Sequence, residues 1–207
     1  MNTTIDDDIE YWQDVPEQFK SILLKRGSYD FSWYELELTT GLFYLRENLI
    51  KKYSWAIPNA KAIRTIENYA KNGLIEIGAG TGYWCYLLSK VGVDCVAFDS
   101  KPYENQCKGN DRKWFEVKVG SVEQLLLPEN QHRTLFLCWV PYESDLGTDC
   151  LKLFQGEYFA VVGEGKCGCC ATDEFFEYLD DRFEWLENVR IPQYFGVHDS
   201  LDIYKKV

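Results

Sequence analysis

The sequence has no long apolar run and no leader-like start. No stretch approaches the roughly 20 consecutive apolar residues that a membrane-spanning helix needs. The amino terminus also lacks a basic segment followed by an apolar one, which is the pattern of a secretory signal. The sequence therefore predicts a soluble, cytoplasmic protein without a membrane partner.

Basic residues are scarce relative to acidic ones. The 207 residues include 22 Lys and Arg against 33 Asp and Glu, for a net charge of -11. Proteins that bind nucleic acid need a basic face that displaces counterions from phosphates. This chain has no basic run of that kind, since Lys51-Lys52 and Lys205-Lys206 are isolated pairs. A nucleic-acid partner is therefore disfavoured, and the charge favours small-molecule or cationic substrates.

Histidine is also scarce, with only His132 and His198. The eight cysteines include the cluster Cys167-Gly168-Cys169-Cys170, but zinc sites usually combine such a cluster with a second ligand pair at a recognisable spacing. The sequence lacks that pair, so we predict no metal site. We expect free thiols, because several cysteines fall in predicted strands or helices of a domain that is stable without disulfides.

One domain is expected, because 207 residues with 46% apolar content supply a sizeable core and no linker or repeat divides the chain. We interpret residues 1–58 as an aromatic cap of this domain and residues 59–207 as its core. Trp55 is expected to face the site. The aromatic residues of the cap are Phe31, Trp33, Tyr34, Phe43, Tyr44, Tyr53 and Trp55.

The most informative stretch consists of a strand, a glycine-rich loop and a helix. An apolar strand that contains Glu76 is followed by Gly78, Gly80 and Gly82. Alternating glycines allow a sharp turn and let a ligand lie against bare backbone. Apolar residues recur at helical spacing over residues 84–91, so the loop opens a helix whose first N–H groups are free to bind a ligand.

A second strand, residues 93–98, ends at Asp99. In doubly wound sheets a carboxylate at this place reaches the ribose of a bound nucleotide. A dinucleotide-binding loop requires a further glycine at its sixth position, where this chain has Tyr83. A nicotinamide-dependent enzyme is therefore disfavoured.

The motif Glu76-x-Gly78-x-Gly80-x-Gly82 resembles the first motif of the class I, Rossmann-like methyltransferases that depend on S-adenosylmethionine (SAM), and Asp99 matches their ribose-binding acid. Over residues 55–207 the chain is similar to a branch of this superfamily with Trp-x-Ile-Pro, Trp-x-Pro and Ile-Pro-Gln motifs. The resemblance implies a SAM cofactor and leaves the acceptor open. Together with the positions of the strand ends it indicates cofactor contacts from Glu76, Gly78, Ala79, Gly80, Gly82, Tyr83, Trp84, Asp99, Ser100, Ser121, Val122, Trp139 and Trp55.

Strands and helices continue to alternate after Asp99. Predicted strands cover residues 114–119, 134–139 and 158–163, and predicted helices cover residues 144–154 and 172–180. The strand-like segments 183–191 and 201–205 follow with only a loop between them, so they should pair antiparallel. The sequence thus predicts an α/β, Rossmann-like methyltransferase sandwich: a mostly parallel seven-stranded sheet with an antiparallel carboxy-terminal hairpin and helices on both faces.

Residues just after the later strands are candidates for acceptor binding, because ligands of such sheets lie beyond the carboxyl ends of the strands. Trp139-Val140-Pro141-Tyr142 resembles in outline the Pro-Pro-Tyr loop of amino-group methyltransferases, although Trp139 stands where those loops have Asn, Asp or Ser. Glu164 follows the fifth strand, and His198 lies beside Asp199 in the hairpin connection. Tyr142, Glu164 and His198 are the candidate catalytic residues.

Structural roles stay open for several of these residues. Ser121 is alternatively a helix cap, His198 a loop histidine bonded to backbone, and Trp139 and Tyr142 aromatic packing at the sheet edge.

Three functions remain open on the sequence. The first is methyl transfer from SAM to a small molecule or a protein side chain. The second is methylation of a nucleic-acid amino group, which requires a positive groove beside Tyr142. The third is a non-catalytic module that binds SAM and acts through a partner, with a pocket that lacks room for an acceptor.

Overall fold

The computed structural model describes residues 9–24, 33–103, 112–194 and 196–207, with backbone only for residues 33–40, 42 and 43. The helices within these residues are α1 (Glu10–Gln13), α2 (Glu17–Leu24), α3 (Trp33–Lys52), α4 (Ala60–Tyr69), α5 (Tyr83–Lys90), α6 (Leu146–Leu153) and α7 (Asp173–Arg182). The strands are β1 (Leu74–Ile77), β2 (Cys95–Asp99), β3 (Val117–Val119), β4 (Thr134–Cys138), β5 (Tyr158–Gly163), β6 (Phe183–Arg190) and β7 (Ser200–Lys206). A 3-10 helix spans Val122–Leu126.

The strands form one seven-stranded sheet in the order β3-β2-β1-β4-β5-β7-β6. The pairs β1/β2, β1/β4, β2/β3 and β4/β5 are parallel, whereas β7 runs antiparallel to both β5 and β6. The predicted mostly parallel sheet and the antiparallel pairing of the last two strands are therefore confirmed. Because Ser200 pairs with Gly163, the start of β7 lies at the same edge as the carboxyl ends of the parallel strands.

The sheet separates two apolar cores, because side chains along a strand point alternately to its two faces. Leu74 of β1 belongs to the core that includes α4 and α5, and Ile75 and Ile77 belong to the core that includes α6 and α7. Glu76 lies on the face of Leu74, which directs its carboxyl group toward α5. The predicted helices on both faces are confirmed.

Two strands begin later than the sequence predicts. In the predicted second strand, the N–H of Val93 donates to the carbonyl of Leu88 and closes the end of α5, so β2 begins only at Cys95. In the predicted third strand, the N–H of Trp114 donates to Thr81 and its indole N–H to the Lys52 carbonyl (2.5 Å). These contacts hold Trp114 against the glycine loop, and β3 begins at Val117.

The amino-terminal segments share the core of the α4–α5 side. Tyr11, Trp12 and Val15 are buried in the same cluster as Trp84. Asn59 caps α4, since its Oδ1 accepts the Ala62 N–H at 2.8 Å. The division into residues 1–58 and residues 59–207 stays a prediction.

The structure describes the side chains of only some of the aromatic residues assigned to the cap. Phe31 lies outside the described residues, and the side chains of Trp33, Tyr34 and Phe43 do too.

Two further features concern the described part of the chain as a whole. None of its helices is both long and apolar enough to cross a membrane. Its seven cysteines carry free thiols, and within it no three or more His, Cys, Asp or Glu side chains gather in a group that could hold a metal ion.

Candidate functional site

The glycine loop, residues 78–82, turns back immediately after β1. Gly78, Gly80 and Gly82 all have positive φ angles, of 77°, 54° and 75°. The N–H groups of Gly78 and Ala79 donate to the carbonyl of Phe98 at 2.9 and 3.1 Å, which ties the loop to the end of β2. Side chains other than glycine rarely adopt these angles, so the loop conformation explains the glycine spacing.

The third glycine of the loop allows close packing. A Cβ atom at Gly82 would lie 2.8 Å from Phe115 Cβ and 2.9 Å from Val117 Cγ2. Gly82 therefore lets the segment that leads into β3 approach the start of α5 closely, and it does not line the cleft described next.

A cleft of about 790 Å³ opens beyond the carboxyl ends of β1, β2 and β4. Most of the predicted cofactor residues line it, namely Glu76, Gly78, Ala79, Gly80, Tyr83, Trp84, Asp99, Ser100, Ser121, Trp139 and Trp55, and so does Tyr142. Gly82, Val122, Glu164 and His198 do not. Val122 packs against the core on the α6–α7 side.

Asp99 closes the β2 end of the cleft. Its Oδ2 accepts the N–H of Gly80 at 2.9 Å, and its Oδ1 accepts the N–H of Lys101 at 2.8 Å. Each carboxylate oxygen has two lone pairs, so both keep acceptor capacity for a ligand. The residue thus fixes the glycine loop and still presents a carboxylate to the cleft.

Glu76 is a buried acid in the floor of the cleft. It is 2% exposed, and burial raises the pKa of its carboxyl group to about 8, although hydrogen bonds from Cys85 act in the opposite direction. Its Oε2 is buried and has no hydrogen-bond partner among the described residues. An unpaired carboxyl oxygen in a cleft is a feature that a polar or cationic ligand satisfies.

Ser121 lines the cleft just after β3. Ser121 occupies the N-cap position of the 3-10 helix, but its side chain makes no capping hydrogen bond there. Its N–H donates to the Glu123 carboxylate at 2.8 Å.

The connection from α3 to α4 covers the glycine loop. Tyr53, Ser54 and Trp55 line the cleft, and the hydroxyl of Thr81 donates to the Tyr53 carbonyl. The Tyr53 hydroxyl in turn donates to Asp14 Oδ2 at 2.8 Å. Segments from the predicted cap therefore form part of the cleft.

Trp55 and Trp139, which we call the tryptophan wall, form the opposite side of the cleft. Their rings stack with centroids 5.3 Å apart and an interplanar angle of 26°. Trp139 has a φ angle of 55°, which ends β4 at Cys138 instead of at the predicted Trp139. Such a conformation in a large residue costs on the order of 1–3 kcal/mol and persists only where other contacts determine it.

Two charged side chains, the buried Asp199 and the half-buried Arg46, contact the tryptophan wall. The indole N–H of Trp139 donates to Asp199 Oδ2 at 3.1 Å, and the Arg46 guanidinium lies 5.7 and 5.8 Å from the Trp55 and Trp139 ring centroids. Asp199 is fully buried. Burial raises the pKa of its carboxyl group to about 7, against the opposing effects of the Trp139 hydrogen bond and the Arg46 charge.

Glu164 and His198 meet next to the wall. Glu164 Oε1 accepts the backbone N–H of His198 at 2.9 Å and lies 3.6 Å from its Nδ1, and Glu164 Oε2 accepts the N–H of Cys169 at 2.7 Å. Burial alone would raise the pKa of Glu164, but these hydrogen bonds outweigh it and lower the pKa. The imidazole thus pairs with Glu164, whereas the sequence placed it beside Asp199.

Several lining residues have no sequence signal of their own. Lys101, Glu143, Ser144 and Cys169 line the cleft because they follow strands or sit on the Glu164 turn. Cys169 belongs to the cysteine cluster, and its N–H donates a hydrogen bond to Glu164.

Comparison with known proteins identifies the fold. The sequence matches no protein-family model and no curated protein. The structure is similar to magnesium protoporphyrin IX methyltransferase from Synechocystis PCC 6803 with bound SAM, at 11% identity, 100% coverage of both chains and a TM-score of 0.50. TehB from Haemophilus influenzae gives 14% identity, 78% and 67% coverage and a TM-score of 0.49.

A third structure, a protein of the NADB-Rossmann superfamily from Streptococcus agalactiae, gives 12% identity, 73% and 70% coverage and a TM-score of 0.48. The similarity to the first of the three, together with the strand order, establishes a Rossmann-like fold for this chain.

Proposed function

We propose that the protein binds SAM in this cleft and transfers its methyl group to a small molecule or a protein side chain. The observation that carries the proposal is the joint position of Asp99 and the glycine loop. The acid is bonded to the Gly80 N–H at 2.9 Å, and both line the same cleft at the carboxyl edge of a parallel sheet. Nucleoside ligands bind at that edge in sheets of this kind.

The acceptor groups that line the cleft fit a ligand that carries both a ribose and a positive charge. Asp99 retains acceptor capacity for ribose hydroxyls, and Glu76 Oε2 has no described partner. A Cβ at Gly78 would meet its nearest atom, Leu146 Cδ2, only at 3.8 Å, so the cleft has free space over the loop. The similar methyltransferase from Synechocystis contains bound SAM.

Each part of the site has a distinct task in this proposal. Asp99 would hold the ribose of the cofactor, Glu76 would face its amino-acid part, and the tryptophan wall would bound its reacting end. When bound, SAM supplies a methyl group on a positively charged sulfur. The residues accelerate its transfer mainly by positioning and by excluding water, and an aromatic face near a cation contributes about 0.5–2 kcal/mol.

The shape and charge of the cleft favour a small acceptor or a protein side chain. Its volume of about 790 Å³ lies in the upper part of the range for ligand sites, which supports space for an acceptor beside the cofactor. Among its described lining residues Lys101 is the sole basic one, and Glu143 follows Tyr142 directly. This charge balance disfavours a phosphate backbone as the substrate.

Tyr142, His198 and Glu164 stay the candidate residues around the acceptor. The Tyr142 ring is 60% exposed at the rim, and Glu164 and His198 lie behind Cys169 at the border of the cleft. We propose that Glu164 and His198 shape this border and that Tyr142 contacts the acceptor.

Calorimetric titration tests the cofactor assignment. The wild-type protein is expected to bind SAM and S-adenosylhomocysteine with saturation and not to bind NAD. Asp99→Ala should weaken binding on the order of 100-fold, because hydrogen bonds to a charged group contribute about 1.5–3 kcal/mol each.

A matched control removes the acid that directly precedes β2, at the opposite end of that strand from Asp99. Asp94 is bonded to Arg133 at 2.7 Å, far from the glycine loop, so Asp94→Ala should leave the affinity unchanged. If folded wild-type protein binds neither SAM nor S-adenosylhomocysteine, the proposal is wrong. If binding is seen, a screen with labelled methyl donor identifies the acceptor.

A further inference from the structure

Trp139 is held in an unusual conformation by three separate contacts. Its backbone N–H donates to the Val162 carbonyl at 2.8 Å, its ring stacks on Trp55, and its indole N–H donates to Asp199. The first contact continues the β4–β5 pairing and fixes the backbone alone. The direction of the indole, and hence the surface that the cleft presents, depends on the other two.

An aspartate at position 199 orients the Trp139 indole at a cost in stability. It is fully buried, its Oδ1 has no hydrogen-bond partner among the described residues, and its Oδ2 accepts the indole N–H at 3.1 Å. Its backbone carbonyl accepts from Gln193 Nε2 at 2.7 Å, so the main chain at this point is fixed without the carboxyl group. A buried acid is destabilising, and such groups concentrate where function requires them.

We infer that Asp199 is a positioning residue, whose buried carboxyl group orients the Trp139 indole as a wall of the ligand cleft. The residue touches no ligand itself, because it lies behind the tryptophan wall. It controls ligand affinity through the direction of one side chain. Sequence placed this acid beside the His198 imidazole, whereas the structure directs it to an indole 60 positions earlier in the chain.

The charge state of Asp199 depends on the groups around it. Glu164 opposes its ionisation and Arg46 favours it, and Cys138, Cys170 and Tyr194 face it with pKa values that its negative charge helps to raise. Ionisation changes the strength of the hydrogen bond from the indole N–H. The Trp139 indole should therefore report the protonation of Asp199.

The protein contains a matched control for this pair. The indole N–H of Trp185 donates to Asp202 Oδ1 at 3.0 Å, but Trp185 is 56% exposed on β6 and neither residue lines the cleft. Among the described residues, the same chemical contact thus occurs both behind the cleft and on the surface. Asp202→Asn should leave ligand affinity and the Trp139 signal unchanged.

Nitrogen-15 NMR of the indole N–H groups tests the inference without any ligand, with Trp139→Phe and Trp185→Phe as assignment variants. In wild-type protein the Trp139 resonance should titrate with a midpoint near pH 7, which is the pKa of Asp199. The chemical shift of this resonance should be independent of pH in Asp199→Asn, and it should differ from wild type in Asp199→Ala. A Trp139 resonance that neither titrates nor changes in the variants would overturn the inference.

The affinity measurement rests on the proposed function and uses S-adenosylhomocysteine as the probe. Asp199→Ala should bind it about tenfold more weakly, whereas Asp199→Asn should stay within about threefold, since its amide oxygen still accepts the indole N–H. Equal losses in both variants would show that the charge matters and not the orientation, which contradicts the inference. If wild-type protein does not bind the probe, the proposed function fails, and the NMR titration still decides the role of Asp199.

Discussion

At the glycine loop the cleft is formed largely by backbone, whereas at the tryptophan wall it is formed by side chains that come from distant parts of the chain. The loop and its partner Asp99 lie within about one strand-helix-strand unit. The wall needs Trp55 from the α3–α4 connection, Trp139 after β4 and Asp199 before β7. Local sequence can therefore specify the first region, while the second exists only in the complete fold.

The two regions also use buried acids differently. Glu76 and Asp199 each have one buried carboxyl oxygen without a described hydrogen-bond partner, but only Glu76 lines the cleft. Asp199 behind the wall already accepts a hydrogen bond from the indole. In our proposals, a buried carboxyl group therefore serves ligand binding in one region and the orientation of a side chain in the other.

The largest effect is expected from Glu76→Gln. The folded-state pKa of Glu76 is about 8 and its ordinary value is 4.5, so its contribution to stability is fully present below about pH 4.5 and is lost as the pH rises to about 8. The neutral variant avoids this loss. Relative to wild type it should gain on the order of 3–5 kcal/mol between pH 4 and pH 9.

Urea unfolding across that pH range measures the difference. Glu184→Gln is the control, because Glu184 is exposed on β6. Parallel pH profiles for wild type and Glu76→Gln would show that the acid is not held protonated in the folded protein.

Gly82→Ala should have the next largest effect. The substitution places a side chain at a φ angle of 75° and drives its Cβ into Phe115 and Val117 at less than 3 Å. The left-handed conformation costs alanine about 1–2 kcal/mol and overpacking adds about 1–3 kcal/mol. We expect a total loss of about 3 kcal/mol in the free energy of unfolding.

Gly92→Ala separates the two causes. Gly92 has a φ angle of 95°, but an added Cβ atom would meet nothing within 4 Å, so only the conformational cost of about 1–2 kcal/mol applies. Equal losses for both variants in urea unfolding would mean that close packing against Phe115 contributes nothing.

Trp139→Phe should have the smallest effect of the three on stability. It keeps an aromatic ring but removes the N–H that Asp199 accepts, which leaves a buried carboxyl oxygen unpaired at a cost of about 1–3 kcal/mol. Trp185→Phe should stay within about 0.5 kcal/mol, because Asp202 keeps hydrogen bonds from Asn188 and Ser200. Thermal unfolding of both variants checks the contrast, and similar losses would contradict it.

Sequence reasoning recovers the glycine-loop region almost completely, because strand, loop and helix signals follow each other directly. The glycine spacing, the capping residue Asn59 and the position of Asp99 at the end of β2 are all local features. The sheet with its antiparallel pair is predicted from the same kind of pattern, since the change from helix-linked to loop-linked strands is visible in the chain.

The wall region escapes sequence reasoning because its contacts span long distances in the chain. The positive φ angle of Trp139 has no local signature, and nothing near Asp199 indicates an indole 60 residues away. Trp114 shows the same limit: its β propensity predicts a strand, but its hydrogen bonds to Thr81 and Lys52 take it out of the sheet. Tertiary contacts outweigh local propensity in both places.

The position of β7 between β5 and β6 has a consequence for synthesis on the ribosome. Strand β6 is synthesised before β7 but hydrogen-bonds only to β7 within the described sheet. It can therefore join the sheet only after β7 has been synthesised. The same late segment brings Asp199. A nascent chain can therefore complete its glycine loop early, while the tryptophan wall takes its final form only after translation has passed the hairpin.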